Sequence, residues 1–294
     1  MAHFTGVIGD VHYRRWAPDQ VRALAVFLHG LGEHTGSYVP FGTALNAAGI
    51  AVWAADHAGH GHSAGERVLI ERIDDLIADA EQLVALARTA HPDLPLVVAG
   101  HSLGATVATL LTAERLLPAG VLPQGLVLTG ASLVPPPEPA RGLRELLATG
   151  IDPMDIRKDP GELTRDSAFA QQVRDDPLTW QGGIRPATVA ALAAAEHRLA
   201  SVVRRRTLTL PVLLVHGEDD DVAPAAGARA AARLLPNARA VIFPQDRHNI
   251  LNELDRDEVY RVLVDFVLDV TGATSGRATA GQPLPEPGRT AGDA

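Results

Sequence analysis

Short unbroken apolar runs alternate along this chain with stretches whose apolar residues recur every three or four positions. The runs Ala23–Leu28, Ile50–Ala54, Leu94–Ala99, Gly125–Leu128, Pro211–Val215 and Ala240–Phe243 each predict a strand buried on both faces. Leu69, Ile73, Leu76, Ile77, Ala80, Leu83, Val84 and Ala87 form an amphipathic stripe, which predicts a long helix packed on the sheet. Leu103, Val107, Leu110 and Leu111 predict a second helix. Val259, Val262, Leu263, Phe266, Val267 and Val270 predict a third, closing the sheet. Val7–Tyr13 reads as a hairpin with Gly9-Asp10 as its two-residue turn. Strands alternating with helices predict an α/β fold with a mostly parallel central sheet and helices on both faces.

The pattern breaks after Ala131. It begins with Val134-Pro135-Pro136-Pro137-Glu138-Pro139, and from there to Arg206 the chain is helical, polar and irregular with no convincing strand. The sheet pattern resumes at Pro211. The expected organisation is a core of residues 1–133 and 207–271, with a helical cap of residues 134–206 inserted over the active site. Within the insertion, Leu143, Leu146, Leu147, Ile151 and Met154 offer an apolar wall for a ligand or glue between cap and core. Arg204-Arg205-Arg206 reads as an exposed helix end. From Thr271 the chain turns Gly-, Pro-, Thr- and Ala-rich, so 272–294 is expected to be a disordered or loosely attached tail.

Composition narrows the function classes. The 294 residues, 46% of them hydrophobic, suffice for one large core plus a subdomain. A formal charge of −9 argues against nucleic acid or an anionic membrane as partner. With no cysteine there is neither disulfide nor thiolate chemistry. The Met1–Gly6 segment lacks the basic and apolar regions of a secretory signal, and no window reaches the ~18 apolar residues of a membrane span. The expected location is the cytoplasm.

The chemistry centres on Gly100-His101-Ser102-Leu103-Gly104, a G-x-S-x-G sequence between a predicted strand and a predicted helix. In that setting it is a nucleophile elbow, whose glycines allow a sharp turn that presents the serine hydroxyl. A hydroxyl is a poor nucleophile at neutral pH, so Ser102 requires a base, an orienter for the base and an oxyanion site. His248 follows the strand at Ala240–Phe243 and is the base candidate. The acid lies in Glu218-Asp219-Asp220-Asp221, after the strand that ends in His216-Gly217. His29-Gly30-Leu31-Gly32, after Ala23–Leu28, is the oxyanion candidate. All four follow the carboxyl ends of strands, where open parallel sheets hold their sites.

These segments, together with His29-Gly30-Leu31-Gly32-Glu33-His34, Asp56-His57-Ala58-Gly59-His60-Gly61-His62-Ser63 and His248-Asn249-Ile250-Leu251-Asn252-Glu253, resemble the monoacylglycerol lipase/lysophospholipase branch of the α/β-hydrolase superfamily. The resemblance runs from about Gly6 to Val270. It implies the α/β-hydrolase fold with a helical cap, in which Asp176-Pro177-Leu178 resembles a short cap motif. It implies Ser102 as nucleophile, His248 as general base and then acid, and Asp220 as the orienting acid, counted three residues after Gly217. Asp219 and Asp221 are the fallback choices. The backbone N–H groups of Leu31 and Leu103 would form the oxyanion hole. Two positions depart from the branch: Ser37 stands where Arg usually precedes Tyr38, and Ala58 where Arg is frequent.

The expected activity is hydrolysis of a carboxylic ester, with a monoacylglycerol or lysophospholipid as the small-molecule partner, through a Ser-His-Asp triad and an acyl-enzyme. Only 4% of residues are aromatic, which suits an aliphatic chain better than a sugar or aromatic acid. A short-chain carboxylesterase and an acyltransferase use the same machinery. A proline-type peptidase fits the elbow less well, and the rival from another class is a catalytically silent binding protein. No cofactor and no metal are expected: His57, His60 and His62 sit in a glycine-rich loop that matches the family, and Glu33 and His34 are read as holding the oxyanion loop in shape.

Overall fold

The computed structural model describes residues 2–131, 133–134 and 148–273. Two short strands, β1 (Ala2–Thr5) and β2 (Asp10–Trp16), form an antiparallel hairpin, and here the sequence reading is corrected. Its turn lies at Gly6–Gly9, closed by a Gly6 N–H to Gly9 O bond of 2.8 Å, while Asp10 already pairs with Thr5 in the ladder. The reason is tertiary: the Val7 N–H donates to Asp79 Oδ1 (2.9 Å) on a helix of the core, which holds the turn one step earlier in the chain.

The six apolar runs are six parallel strands: β3 (Ala23–Leu28), β4 (Ile50–Ala55), β5 (Leu96–His101), β6 (Gly125–Thr129), β7 (Val212–Gly217) and β8 (Ala238–Phe243). With the hairpin they make one eight-stranded sheet in the order β1-β2-β4-β3-β5-β6-β7-β8. β3 to β7 are buried throughout, as unbroken apolar sequence requires, and β8 at the edge is largely half-exposed.

Helix α1 (Val39–Ala47) follows β3, α2 (Ile73–Ala90) follows β4 and α3 (Leu103–Leu111) follows β5. The stripe predicted from Leu69 starts its helix only at Ile73. Leu69 belongs to a preceding turn, its N–H bonded to Glu66 O at 3.1 Å, and Asp74 and Asp75 occupy the first helical turn, where the helix dipole favours acids. Between β6 and β7 come a helical turn α4 (Pro160–Leu163), α5 (Ser167–Asp175) and α6 (Pro186–Arg204). Then α7 (Ala225–Leu234) joins β7 to β8, and α8 (Arg256–Val270) follows β8.

Two hydrophobic clusters separate the faces of the sheet. Phe41 and Leu45 of α1 pack with Val259, Leu263, Phe266 and Val267 of α8 on one face. On the other, α2 and α3 share a cluster with Ala195, Leu199 and Val203 of α6 and with Ala228 and Ala231 of α7. Arg204, Arg205 and Arg206 are exposed at the end of α6. Among the described residues, no helix is long and apolar enough to cross a membrane. Leu143, Leu146 and Leu147, and the tail from residue 274, lie outside the described residues.

Candidate active site

Ser102 stands at the junction of β5 and α3 with φ 51° and ψ −115°. For a residue other than glycine this backbone costs about 1–3 kcal/mol, a strain that persists because the surroundings over-determine it. The flanking glycines permit it sterically. A Cβ on Gly100 would lie 2.2 Å from the carbonyl oxygen of Gly104, and one on Gly104 2.0 Å from that of Leu28 in β3. Backbone therefore sits on backbone where any side chain would intervene. The Ser102 N–H is tied to Thr129 O of β6 at 2.9 Å.

The loops after β7 and β8 bring the other two groups to this serine. They converge because Gly217 has no side chain: a Cβ there would meet Asp246 O at 2.2 Å and Arg247 O at 2.5 Å. His248 Nε2 lies 3.0 Å from Ser102 Oγ, and His248 Nδ1 lies 2.8 Å from Asp220 Oδ2. The network assigns the tautomer: the Nδ1–H donates to the carboxylate and Nε2 accepts from the serine hydroxyl. Of the three candidate acids, Asp220 is buried and faces His248, whereas Asp219 and Asp221 are exposed and Asp221 pairs with Lys158.

Four contacts saturate the Asp220 carboxylate. Oδ1 accepts from the backbone N–H groups of Val222 and Ala223, both at 2.9 Å, and Oδ2 faces His248 and, at 2.9 Å, His216 Nε2. Burial pushes this carboxyl up, but the charge interaction with His248 and the hydrogen bonds from His216 and His248 outweigh it and hold the group well below the usual carboxylate range. Burial lowers His248, and the Asp220 carboxylate more than reverses that, so its imidazole titrates above the ordinary histidine value of 6.5.

The loop with the candidate oxyanion donor Leu31 follows β3. Glu33 Oε2 accepts from the Gly30 N–H (2.9 Å) and from the Tyr38 hydroxyl, and Oε1 accepts from Asn249 Nδ2 at 3.1 Å. One carboxyl thus joins this loop to the residue beside His248, and burial raises its pKa. The N–H groups of Leu31 and Leu103 donate to no group among the described residues. Leu103 opens α3, where helical amides have no intrahelical partner. Beneath the loop, the His57 N–H donates to His29 Nε2 (2.9 Å) and the His60 ring bonds Ala58 O (3.0 Å). Burial lowers His57 to about 3 and His60 to about 4, so both are neutral at physiological pH. His62 points elsewhere, its ring 5.2 Å from that of His12.

A cavity of about 90 Å³ opens on Ser102 and His248, with Leu31 and Gly32 on one side. Leu163, Phe169, Val173 and Trp180 form its apolar wall, and Lys158, Thr179 and Gln181 its polar margin. The wall hangs from the strand-end loops: the Trp180 N–H donates to Gly32 O (2.8 Å), the Asn249 N–H to Leu163 O (2.8 Å), and His34 Nε2 meets Asp176 Oδ2 at 2.9 Å. Of the residues expected to offer a wall, Ile151 and Met154 do not line the cavity.

The model of the Hydrolase_4 family, described as serine aminopeptidase, S33, matches residues 19–255. The chain belongs to this α/β-hydrolase family. It is 30% identical over 271 residues to the monoacylglycerol lipase of Mycolicibacterium smegmatis, covering 90% of this chain and 95% of that protein. It is 31% identical over 270 residues to rat monoglyceride lipase, covering 85% and 87%. The monoacylglycerol lipase of Paleococcus ferrophilus superposes with a TM-score of 0.73 at 23% identity, over 88% of this chain and 99% of that one, and shares the fold.

Sequence reasoning missed several residues of this α/β-hydrolase site. Phe169 and Val173 stand four apart on one face of α5, a signal hidden by the polar residues around them. Trp180 carried none. Arg165 was also missed. It joins the stretch before α5 to the His248 loop by pairing with Glu253 (3.1 Å), Asp255 (3.0 Å) and Asp246. Asp246, Glu253 and Asp255 are near enough together to suggest a cation, and the guanidinium of Arg165 is that cation.

Proposed function

We propose that this α/β-hydrolase cleaves carboxylic esters through an acyl-enzyme on Ser102, with monoacylglycerols or lysophospholipids as preferred substrates. One observation carries the reading: the unbroken run from Ser102 Oγ through His248 to Asp220 opens on a cavity with an apolar wall. His248 Nε2 takes the hydroxyl proton as Ser102 Oγ bonds to the ester carbon, and Asp220 stabilises the imidazolium. The oxyanion is received by the N–H groups of Leu31 and Leu103; in comparable sites loss of one such donor costs about 2.7–4 kcal/mol. The tetrahedral species collapses, the ester C–O bond breaks, and the alcohol leaves with the proton from His248. Water then attacks the acyl-enzyme by the same route and frees the acid. No step calls for a cofactor or metal.

In the same reading, residues 1–133 and 207–271 are the catalytic core and 134–206 the cap. Helix α6 lies within that insertion yet buries its apolar side among the core helices, so among the described residues the covering part is 158–181. The relatives, a monoacylglycerol lipase and a monoglyceride lipase, support glycerol esters. A second reading, a short-chain carboxylesterase, is favoured by the cavity itself, since about 90 Å³ suits a short acyl group.

The deciding experiment is the initial rate on p-nitrophenyl esters of increasing chain length, a monoacylglycerol and a lysophosphatidylcholine, with Ser102→Ala as blank. A preference for glycerol esters of medium or long chains is the expected outcome, with kcat in the blank lower by about 10⁴–10⁶. A maximum at the shortest ester with neither lipid cleaved sinks the lipid assignment and leaves the esterase. Full turnover by purified Ser102→Ala sinks both.

A further inference from the structure

We infer that His216, outside the Ser-His-Asp set, is a positioning residue: by sharing its Nε2–H between Ala223 O and the carboxylate oxygen that faces His248, it aims Asp220 and tempers the charge that Asp220 presents to the imidazole. The inference rests on the assignment of Ser102, His248 and Asp220 proposed above.

His216 is the penultimate residue of β7 and is fully buried. Its Nε2 hydrogen-bonds Ala223 O and also lies 2.9 Å from Asp220 Oδ2, so its single hydrogen is shared between the two, while its Nδ1 has no hydrogen-bond partner and is buried. Two acceptors around Nε2 and none at Nδ1 place a hydrogen on Nε2. A hydroxyl or aliphatic side chain at this position leaves Oδ2 one donor short. The strand fixes where His216 starts, and the loop from Gly217 to Ala223 folds back so that Asp220, four residues on, meets it. The side chain therefore braces the acid from the rigid sheet, while the backbone N–H groups of Val222 and Ala223 hold the other oxygen.

Sharing Oδ2 has a chemical consequence that simple bracing lacks. Each donor to a carboxylate spreads its charge and lowers its capacity to stabilise a neighbouring imidazolium. Without the His216 donor, the charge on Oδ2 falls wholly to His248 Nδ1–H, and His248 holds its proton to higher pH. The base is then neutral over less of the working range, and the acid is also less well aimed. The other ionisable groups facing this set are Glu33 from the oxyanion loop, His101 from β5 and Lys158 ahead of α4; of these, His101 also interacts with His216 itself, and burial keeps its imidazole well below the ordinary histidine value.

The test compares wild type with His216→Leu, which removes the donor, and His216→Gln, whose terminal amide donates from nearly the place of Nε2. His216→Asn, whose shorter amide stops short of Asp220, serves in place of Leu if that variant does not fold. Two readouts are taken: the pH profile of kcat/KM on a p-nitrophenyl ester, and the NMR titration of the low-field His248 Nδ1 proton. The Leu variant is expected to lose about tenfold in kcat/KM at pH 7. Its acid limb and NMR midpoint should both rise by about half a pH unit. The Gln variant is expected to stay near wild type in both. An NMR midpoint unmoved in Leu and Asn, whatever the rate, overturns the inference, as does a Gln variant displaced as far as Leu. The NMR titration needs no turnover, so a protein that hydrolyses no ester refutes the proposed function while His216 is still judged.

Discussion

Asp219, Asp220 and Asp221 are chemically identical neighbours, and backbone direction alone distinguishes them. Asp220 turns inward to His248, His216 and two backbone amides, while the flanking pair faces solvent. An ionised, fully bonded carboxylate in that place fixes the His248 tautomer, and an amide there stabilises the wrong one. Asp220→Asn is therefore expected to lower kcat by about 10⁴, and Asp219→Asn to change it by less than about threefold. Steady-state kinetics on one ester decide between them. A large loss in Asp219→Asn with Asp220→Asn active would move the acid to the fallback position.

At the level of elements, the elbow works because a strand, a helix and a neighbouring strand approach to backbone contact. Gly104 is the tightest point, since its missing Cβ would stand 2.0 Å from a backbone oxygen that no rotamer change can move aside. Gly104→Ala is expected to push α3 off β3 and destabilise by about 1–3 kcal/mol or more, with loss of activity as Ser102 shifts. Gly120 is the control. Its φ is +75° but open space surrounds it, so Gly120→Ala carries only the backbone penalty of about 1–2 kcal/mol and leaves turnover intact. Thermal unfolding and ester turnover, measured on both, separate a packing requirement from a conformational one.

Across the whole molecule, Arg165 is the fastening between the stretch before α5 and the His248 loop. Its guanidinium neutralises Asp246 and Glu253, whose side chains are fully buried, together with the exposed Asp255. Burial, and then the hydrogen bond and charge of Asp255, push Asp246 up from 3.8 to about 7. A folded carboxyl that holds its proton more tightly than the unfolded one contributes most at low pH, and that contribution fades as pH rises through about 7. Removing the cation strengthens this trend. Arg165→Met is expected to destabilise by about 3–5 kcal/mol at most, with a larger fall in Tm at pH 8 than at pH 6. An equal fall at both values would show that the three carboxylates are not coupled through Arg165.

Much of this molecule is written locally. Unbroken apolar runs bounded by glycine and polar turns mark the parallel strands, because a strand covered on both faces tolerates no alternation. Helical spacing marks α2, α3 and α8, and the glycines around Ser102 mark a turn that other residues cannot make. The four loops of the site were legible for the same reason, since each follows the carboxyl end of such a strand. What local sequence does not carry is direction and partner. The hairpin turn moved to Gly6–Gly9 because Asp79, remote in sequence, captures the Val7 amide. Which aspartate meets His248 depends on where a loop folds back, and the wall of Leu163, Phe169, Val173 and Trp180 on how the insertion hangs from the sheet. Residue type and spacing determined the fold and the chemistry on offer. Only long-range packing decided which groups touch, because a hydrogen bond or a buried ion pair depends on distances that separate segments set together.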